Sequence, residues 1–424
     1  MAANDTAAND TAANDTAADP FERFNRAMGL GVRQTPYPDM ALAREVTPVV
    51  EGDIAVAVHG PGALDTEIVD PAGAERSFTP LTFDSNMAVL KDGETFSSTV
   101  YAEVMGAVMG HTILEMDEPE HGSYRRLIQQ AFTRKAMDGK EEELVVPIVD
   151  ELIDAFVDRG RAELVSELLF PFPVNVIAGL LGLPREDLPM FHRLSVELIG
   201  ITIDWDAGMA AAAALRDYFV GVVEDRRRSP RNDMISILVQ AEVDGHQLTD
   251  DEIVAFLKLL LPAGAETTYR SSSNLMCGLL THPEQLKAVI DDPGLIPQAI
   301  EEGLRWEAPL LTILRRTTRQ TILEGVTLPE GATIVLNLGA ANHDPTRWDR
   351  PDEFDIFRPA IPHLAFASGP HMCLGMHLAR METRAALSRL FDRLPGLRLD
   401  PSADEPYITG LLFRAPPRLD VVWG

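Results

Sequence analysis

The sequence predicts a mainly α-helical protein with small β-sheets, an α+β body organised around one long central helix. Three observations lead to that class. Segments Lys140 to Phe156, Met209 to Arg226 and Met376 to Leu394 repeat apolar residues at three- and four-residue spacing, as amphipathic helices do. A stretch opening at Thr249 runs to His282-Pro283 without a strong stop. Between Pro20 and about Lys91 the apolar runs are short and split by Gly, Pro and Asp, as in Val56-Ala57-Val58-His59-Gly60-Pro61. That pattern predicts a small sheet with tight turns.

The chain opens with Ala-Ala-Asn-Asp-Thr three times from Ala2 to Thr16. Small polar repeats of this kind bury too little apolar surface to fold, so residues 1–18 are expected to be a tail ahead of the folded residues 19–424. Hydrophobic residues make up 46% of the chain and charged residues 24%, a balance that permits a large core. The net charge of −28 repels phosphate backbones and anionic lipid, which disfavours nucleic acid and membrane partners. The longest run free of charge and histidine, Leu168 to Pro184, is broken by Pro171, Pro173 and Asn175 and reads as core rather than as a span. No basic segment followed by an apolar one opens the chain, so a cytoplasmic protein is expected. Cys277 and Cys373 are the only cysteines, too few for a disulfide framework or a Cys₄ zinc site.

The central helix is predicted to start with a capping box, Thr249 with Glu252. It would span about 33 residues, roughly 50 Å at the α-helical rise. Within it, Pro262-Ala263-Gly264-Ala265-Glu266-Thr267-Thr268 combines two helix-weakening residues with an acid and two hydroxyls, so a functional bend is expected there.

Near the C-terminus, Phe366-Ala367-Ser368-Gly369-Pro370-His371-Met372-Cys373-Leu374-Gly375 forms a turn-rich loop ahead of the amphipathic helix bearing Leu378, Met381, Ala385 and Leu394. A cysteine at that helix N-terminus faces unpaired N–H groups and the positive end of the dipole, which favour a thiolate. Glycines at 369 and 375 let the backbone approach a flat ligand, and Phe366 can shield the sulfur from water.

Phe366, Gly369, His371, Cys373 and Gly375 at these spacings resemble the haem-binding signature of the cytochrome P450 family. Glu302-Gly303-Leu304-Arg305 is similar to that family's Glu-x-x-Arg helix. Phe354-Asp355-Ile356-Phe357-Arg358-Pro359 resembles the stretch whose arginine, here Arg358, closes a buried structural triad with Glu302 and Arg305. Ala263 to Thr268 resembles the oxygen-binding stretch, with Gly264 beside the cofactor. The likeness runs from about Pro20 onward, with Ala367 in place of the usual glycine and His343 where arginine is common.

What the resemblance implies is a cytochrome P450 fold with haem b (iron protoporphyrin IX) bound through Cys373. Thr267 would hydrogen-bond the distal oxygen and Glu266 would relay protons from solvent through water. His121 and Arg125, one helical turn apart, would contact the haem propionates together with Arg315 and His371; Arg316 is the weaker choice. The expected activity is a monooxygenase acting on a hydrophobic small molecule. Leu259, Ala263, Leu311, Ile313 and Leu412 are candidate pocket liners, and Glu197 to Gly208, with Trp205, the candidate lid. No Gly-rich nucleotide fingerprint follows a strand, so electrons are expected from a ferredoxin and its reductase. Arg126, Arg134, Lys135, Arg380 and Arg384 are placed near the proximal face that would receive the carrier. Two alternatives stand beside this reading: a peroxide-driven peroxygenase, which typically lacks the acid and threonine pair, and a non-enzymatic haem ligand carrier or sensor.

Overall fold

Thr249 begins the central helix as its side chain requires. In a computed structural model, which describes residues 35–52, 76–199, 204–410 and 412–424, its hydroxyl accepts the Glu252 N–H at 3.2 Å. The Glu252 carboxylate in turn accepts the Thr249 N–H at 2.7 Å, closing the capping box. Helix Asp250–Leu261 passes through a π turn, Pro262–Glu266, into helix Thr267–Thr281. Pro262 has no N–H for the i−4 ladder, and one wide turn absorbs the defect. Ile253 to Leu261 and Thr268 to Leu280 are buried throughout, which is what a helix passing through the core requires. The hydroxyls of Ser271 and Ser272 donate to the Thr268 carbonyl at 3.1 and 2.8 Å, so their burial leaves no donor unused.

Helices Pro171–Leu180 and Trp205–Arg228 pack against the π turn and the first half of this spine. Ile296–Trp306 and Met376–Arg393 pack against its second half. A five-stranded sheet runs in the order Val49–Glu51, Ser77–Pro80, Thr333–Asn337, Thr312–Thr317, Phe96–Ser97, antiparallel except where Thr333-Ile334 runs parallel to Ser77-Phe78. Arg398–Leu399, Asp420–Val422 and Arg161–Glu163 form a smaller antiparallel sheet. The main core lies among the helices, and a second apolar cluster, with Phe78, Phe83, Ile334 and Trp348, lies against the five-stranded sheet. No helix among the described residues is long and apolar enough to cross a membrane.

The helical segments expected from periodicity are present, and the one after Lys140 opens with a π turn, Glu141–Val145, before helix Val146–Asp154. The N-terminal region departs from expectation. Besides strands it carries helices Tyr37–Val46 and Phe83–Lys91, too short to show a periodic signature. The second is set by Thr82, whose hydroxyl accepts the Ser85 N–H. The repeat at residues 2–16 and Val56 to Pro61 lie outside the described residues.

Candidate cofactor and active site

The cysteine loop is shaped by its own backbone. The Cys373 N–H donates to the Phe366 carbonyl at 2.9 Å, Ala367 to Leu364 at 2.8 Å and Met372 to Gly369 at 3.1 Å. Ala367 and Gly369 both adopt left-handed conformations, φ 55° and 72°. A Cβ at Gly369 would collide with the Leu90 carbonyl oxygen, so glycine is required there. Ala367 stands in the left-handed region without that freedom, at a cost on the order of 1 kcal/mol. Gly375 precedes helix Met376–Arg393 and faces open space. Cys373 is accessible although protein encloses it on most sides. Burial pushes its thiol pKa up, against the N–H groups of Gly375 and Met376 and the charges of Arg125 and Arg380. The helix-terminus effect read from the sequence is therefore present but outweighed, and a bound metal cation would supply the rest of the anion's stabilisation.

Behind the loop, the Arg380 guanidinium lies 4.6 Å from the Phe366 ring centroid and grips Glu301 through two bonds of 2.6 and 2.8 Å. Burial alone would raise the Glu301 pKa, but Arg380 and His363 overcome it and bring it down to about 2. Arg305 binds Glu302 bidentately at 2.8 and 2.7 Å and donates to the carbonyls of Asn342, Pro351 and Glu353. The Arg358 Nε comes within 3.5 Å of Glu302 while its other nitrogens hold the carbonyls of Asp349, Arg350 and Glu353. This is the triad expected from sequence.

Arg125, Arg315, His121 and His371 converge, although they come from a helix, a strand and the cysteine loop. The two imidazoles are 4.0 Å apart, and Arg125 donates to the Met372 carbonyl at 2.7 Å. Burial, with the charges of Arg315, His121 and Arg125, pushes the His371 pKa down to about 3. Arg315 is buried beside Tyr101, whereas Arg316 points to the other face of the strand and pairs with Glu103 at 2.9 Å. Apart from Glu118, 3.1 Å from His121 Nδ1, no carboxylate among the described residues forms an ion pair with the cluster. The buried His121 Nε2 has no hydrogen-bond partner. Donors of this kind suit a dianionic ligand edge such as haem propionates. His371 Nε2 already meets Ser98 Oγ at 3.0 Å, so its share in that contact needs a rearrangement.

Across the spine, Ala263 is exposed in the middle of a buried helix, and the Thr267 hydroxyl donates to its carbonyl at 2.7 Å. Two sequence expectations change here. Gly264, expected beside the cofactor, instead turns its missing side chain to Ile177, where a Cβ would come within 2.9 Å; its smallness serves helix packing. Glu266, expected to face a water route, is 1% exposed and held by Arg270, whose Nε donates to Oε1 at 2.6 Å. Burial pushes the Glu266 carboxyl pKa up and Arg270 opposes it. The Arg270 guanidinium is sandwiched between Tyr269 and Phe413, at 5.0 and 5.3 Å.

The pocket segments do meet. Leu311 N–H donates to the Leu412 carbonyl at 2.8 Å, and Leu310 bridges Phe413. Leu412 and Ile313 are half-buried and Leu259 is buried in the main core. Leu311, expected to line the pocket, instead buries its side chain with Tyr37, Met40, Leu81 and Ala340 in a separate small core. Of the expected lid, residues 200–203 lie outside the described set; Asp204 caps the next helix through the Ala207 N–H, and Trp205 is exposed.

The sequence reading missed Arg270 and the buried Arg414–Glu307 pair, bridged at 2.7 Å and joined by the Tyr37 hydroxyl. Arg270 carried a signal, since it stands four residues after Glu266. The other set had none, because its members are brought together from three distant parts of the chain.

A single accessible cysteine in a glycine loop, a basic cluster with only Glu118 in an ion pair among the described residues and a bulged buried helix together form a site suited to a haem held by a cysteine. The family profile described as Cytochrome P450 matches residues 190–292 and 294–418. The monooxygenase PikC of Streptomyces venezuelae is 34% identical over 407 residues, covering 91% of each chain. A steroid C26-monooxygenase of Mycobacterium tuberculosis is 38% identical over 293 residues, 68% of this chain and 78% of that one. The solved structure of CYP109E1 from Bacillus megaterium in complex with testosterone aligns with a TM-score of 0.81 at 30% identity, over 92% of this chain and 100% of that one. The chain belongs to the cytochrome P450 family. It is a haem-dependent monooxygenase, an oxidoreductase that incorporates one atom of O₂.

Proposed function

We infer that residues 19–424 form one cytoplasmic catalytic domain that binds haem b and oxidises a hydrophobic small molecule with electrons from a ferredoxin and its reductase. The observation that carries this reading is the convergence of Arg125, Arg315, His121 and His371 next to the Cys373 sulfur. Haem, held by Cys373, would supply oxygen activation and atom transfer. The chain's own groups do the rest. Arg380, stacked on Phe366, and the loop backbone hold the sulfur in place. The basic cluster orients the propionate edge. Thr267 Oγ, now bonded to the Ala263 carbonyl, is the group nearest in sequence to the π turn that can present a hydroxyl proton to the open side. Glu266 can replenish that proton once it leaves Arg270, and the burial that raises its carboxyl pKa favours the protonated form.

For the electron donor, the basic patch is smaller than the sequence suggests: Arg380 pairs with Glu301 and Arg384 with Glu141, leaving Arg134 and Lys135 as the exposed cations without an ion pair among the described residues. The substrate reading draws support from apolar Leu259, Ala263, Ile313 and Leu412. The test is the carbon monoxide spectrum of the reduced, haem-loaded protein. The long-wavelength band of sulfur ligation is expected, and Cys373→Ser should lose it; a wild-type spectrum without that band would overturn the reading. Turnover with peroxide and none with ferredoxin and NAD(P)H would instead favour a peroxygenase.

A further inference from the structure

Six arginines and lysines are buried among the described residues: Arg226, Lys258, Arg270, Arg305, Arg315 and Arg414. A buried cation is costly unless it is paired. Four of them are paired, with Asp233, Glu266, Glu302 and Glu307 respectively. The two that form no ion pair among the described residues are Arg315 and Lys258. Arg315 belongs to the cluster suited to the carboxylates of haem propionates, so its missing partner is a ligand. The same logic applied to Lys258 asks for a second anionic ligand.

Lys258 is 7% exposed. It sits on the spine beside Leu259 and five residues before Ala263, the residue left open in mid-helix. Its ammonium carries three donors, and its hydrogen-bond partner is the Val108 carbonyl at 2.9 Å, in the last turn of helix Val100–Met109. That helix ends at Gly110, φ 81°, where an added Cβ would touch the Ala255 Cβ at 3.7 Å. Helix 100–109 and the loop after it, which leads to His121, therefore rest on the spine through Ala255 and Lys258. The charge acting on Lys258 is another cation, Arg216, on the helix that follows the lid segment. Arg216 is exposed and paired with Asp251 at 3.5 Å, so the buried charge without a carboxylate among the described residues is that of Lys258.

The geometry points to Lys258 as the anchor for the carboxylate of an amphipathic substrate, whose apolar part extends along the spine past Leu259 toward Ala263. This rests on the monooxygenase reading above and narrows its substrate class to hydrophobic carboxylic acids. On binding, the ammonium exchanges or shares the Val108 carbonyl for the carboxylate, and the end of helix 100–109 adjusts at Gly110. The competing role is purely structural, a cation capping the last carbonyls of that helix.

The test compares haem-loaded wild type, Lys258→Met and Lys258→Arg. The probes are saturated linear acids of medium and long chain, a cholanic acid, and the matching primary alcohols. Dissociation constants are read from the haem spin-state shift and, independently of the haem absorbance, by calorimetry. Wild type is expected to bind at least one acid about tenfold or more tightly than its alcohol, as a buried charge-assisted bond implies. Lys258→Met should erase that preference by weakening the acid while the alcohol stays within about twofold, and Lys258→Arg should restore most of it. The alcohol serves as the control for folding. The proposal is overturned if wild type prefers no acid in the series, or if Lys258→Met weakens acid and alcohol alike, which assigns Lys258 to capping alone. The reduced carbon monoxide spectrum of the same samples separates these outcomes from failure of the haem-thiolate reading itself.

Discussion

On the cysteine side of the site, every support is redundant. The loop is closed by its own backbone bonds, Phe366 lies under Arg380, and Arg305 makes two bonds to Glu302 and three to carbonyls from 342 to 353. On the oxygen and substrate side the supports are sparser. Thr267 leans on one carbonyl, helix 100–109 meets the spine through a lysine and a glycine, and the lid carries an exposed Trp205. The contrast follows from chemistry: the ligand to iron has to stay fixed through the cycle, whereas substrate and protons have to come and go.

The largest expected effect lies on the rigid side. Arg305→Ala leaves Glu302 buried with the Asp355 N–H and only the more distant Arg358 as a charge partner, and strips donors from three carbonyls, so unfolding should become easier by about 3–5 kcal/mol with loss of haem retention. A thermal or denaturant melt close to wild type would break the comparison. On the mobile side, Thr267→Ala should leave the melt almost unchanged yet divert electrons to peroxide, lowering product per reducing equivalent by about tenfold or more. Unaltered coupling would remove Thr267 from proton delivery.

The smallest effect sharpens the contrast through pH. Glu120, and with it Glu115, hold the His111 pKa above its ordinary value against partial burial, so the protonated ring clasps the loop from 110 to 119. Because the folded pKa is the higher one, this stabilisation is complete below about 6.5 and is lost as pH climbs through the raised value. Amide hydrogen exchange, corrected for its intrinsic pH dependence, should accelerate in that loop over this range while helix Met376–Arg393 stays protected. Equal acceleration in both would show that the two sides open together.

Much of the site was legible because its signals are local. The cysteine loop, the Glu302 and Arg305 spacing, the His121 and Arg125 turn and the Thr249 cap are all encoded within ten residues or fewer. The π turn could be anticipated from Pro262 and Gly264 in a helical context, although Gly264 proved to serve packing against Ile177. Leu311 was expected at the pocket from the resemblance alone, and its burial against Tyr37 and Met40 depends on helix Tyr37–Val46, which nothing near Leu311 in the sequence announces.

By itself the sequence determined the helical class and the spine with its bend, since both depend on spacing along a helix, and the resemblance carried by its short motifs pointed to Cys373 and to the basic groups expected near a haem. Tertiary structure alone decided that Glu266 is clamped by a buried Arg270 against Phe413, that Tyr37, Glu307 and Arg414 form one network, and that Lys258 is buried without an ion pair among the described residues. Those outcomes depend on desolvation and on charges brought together from distant parts of the chain, and neither can be read from neighbours in sequence.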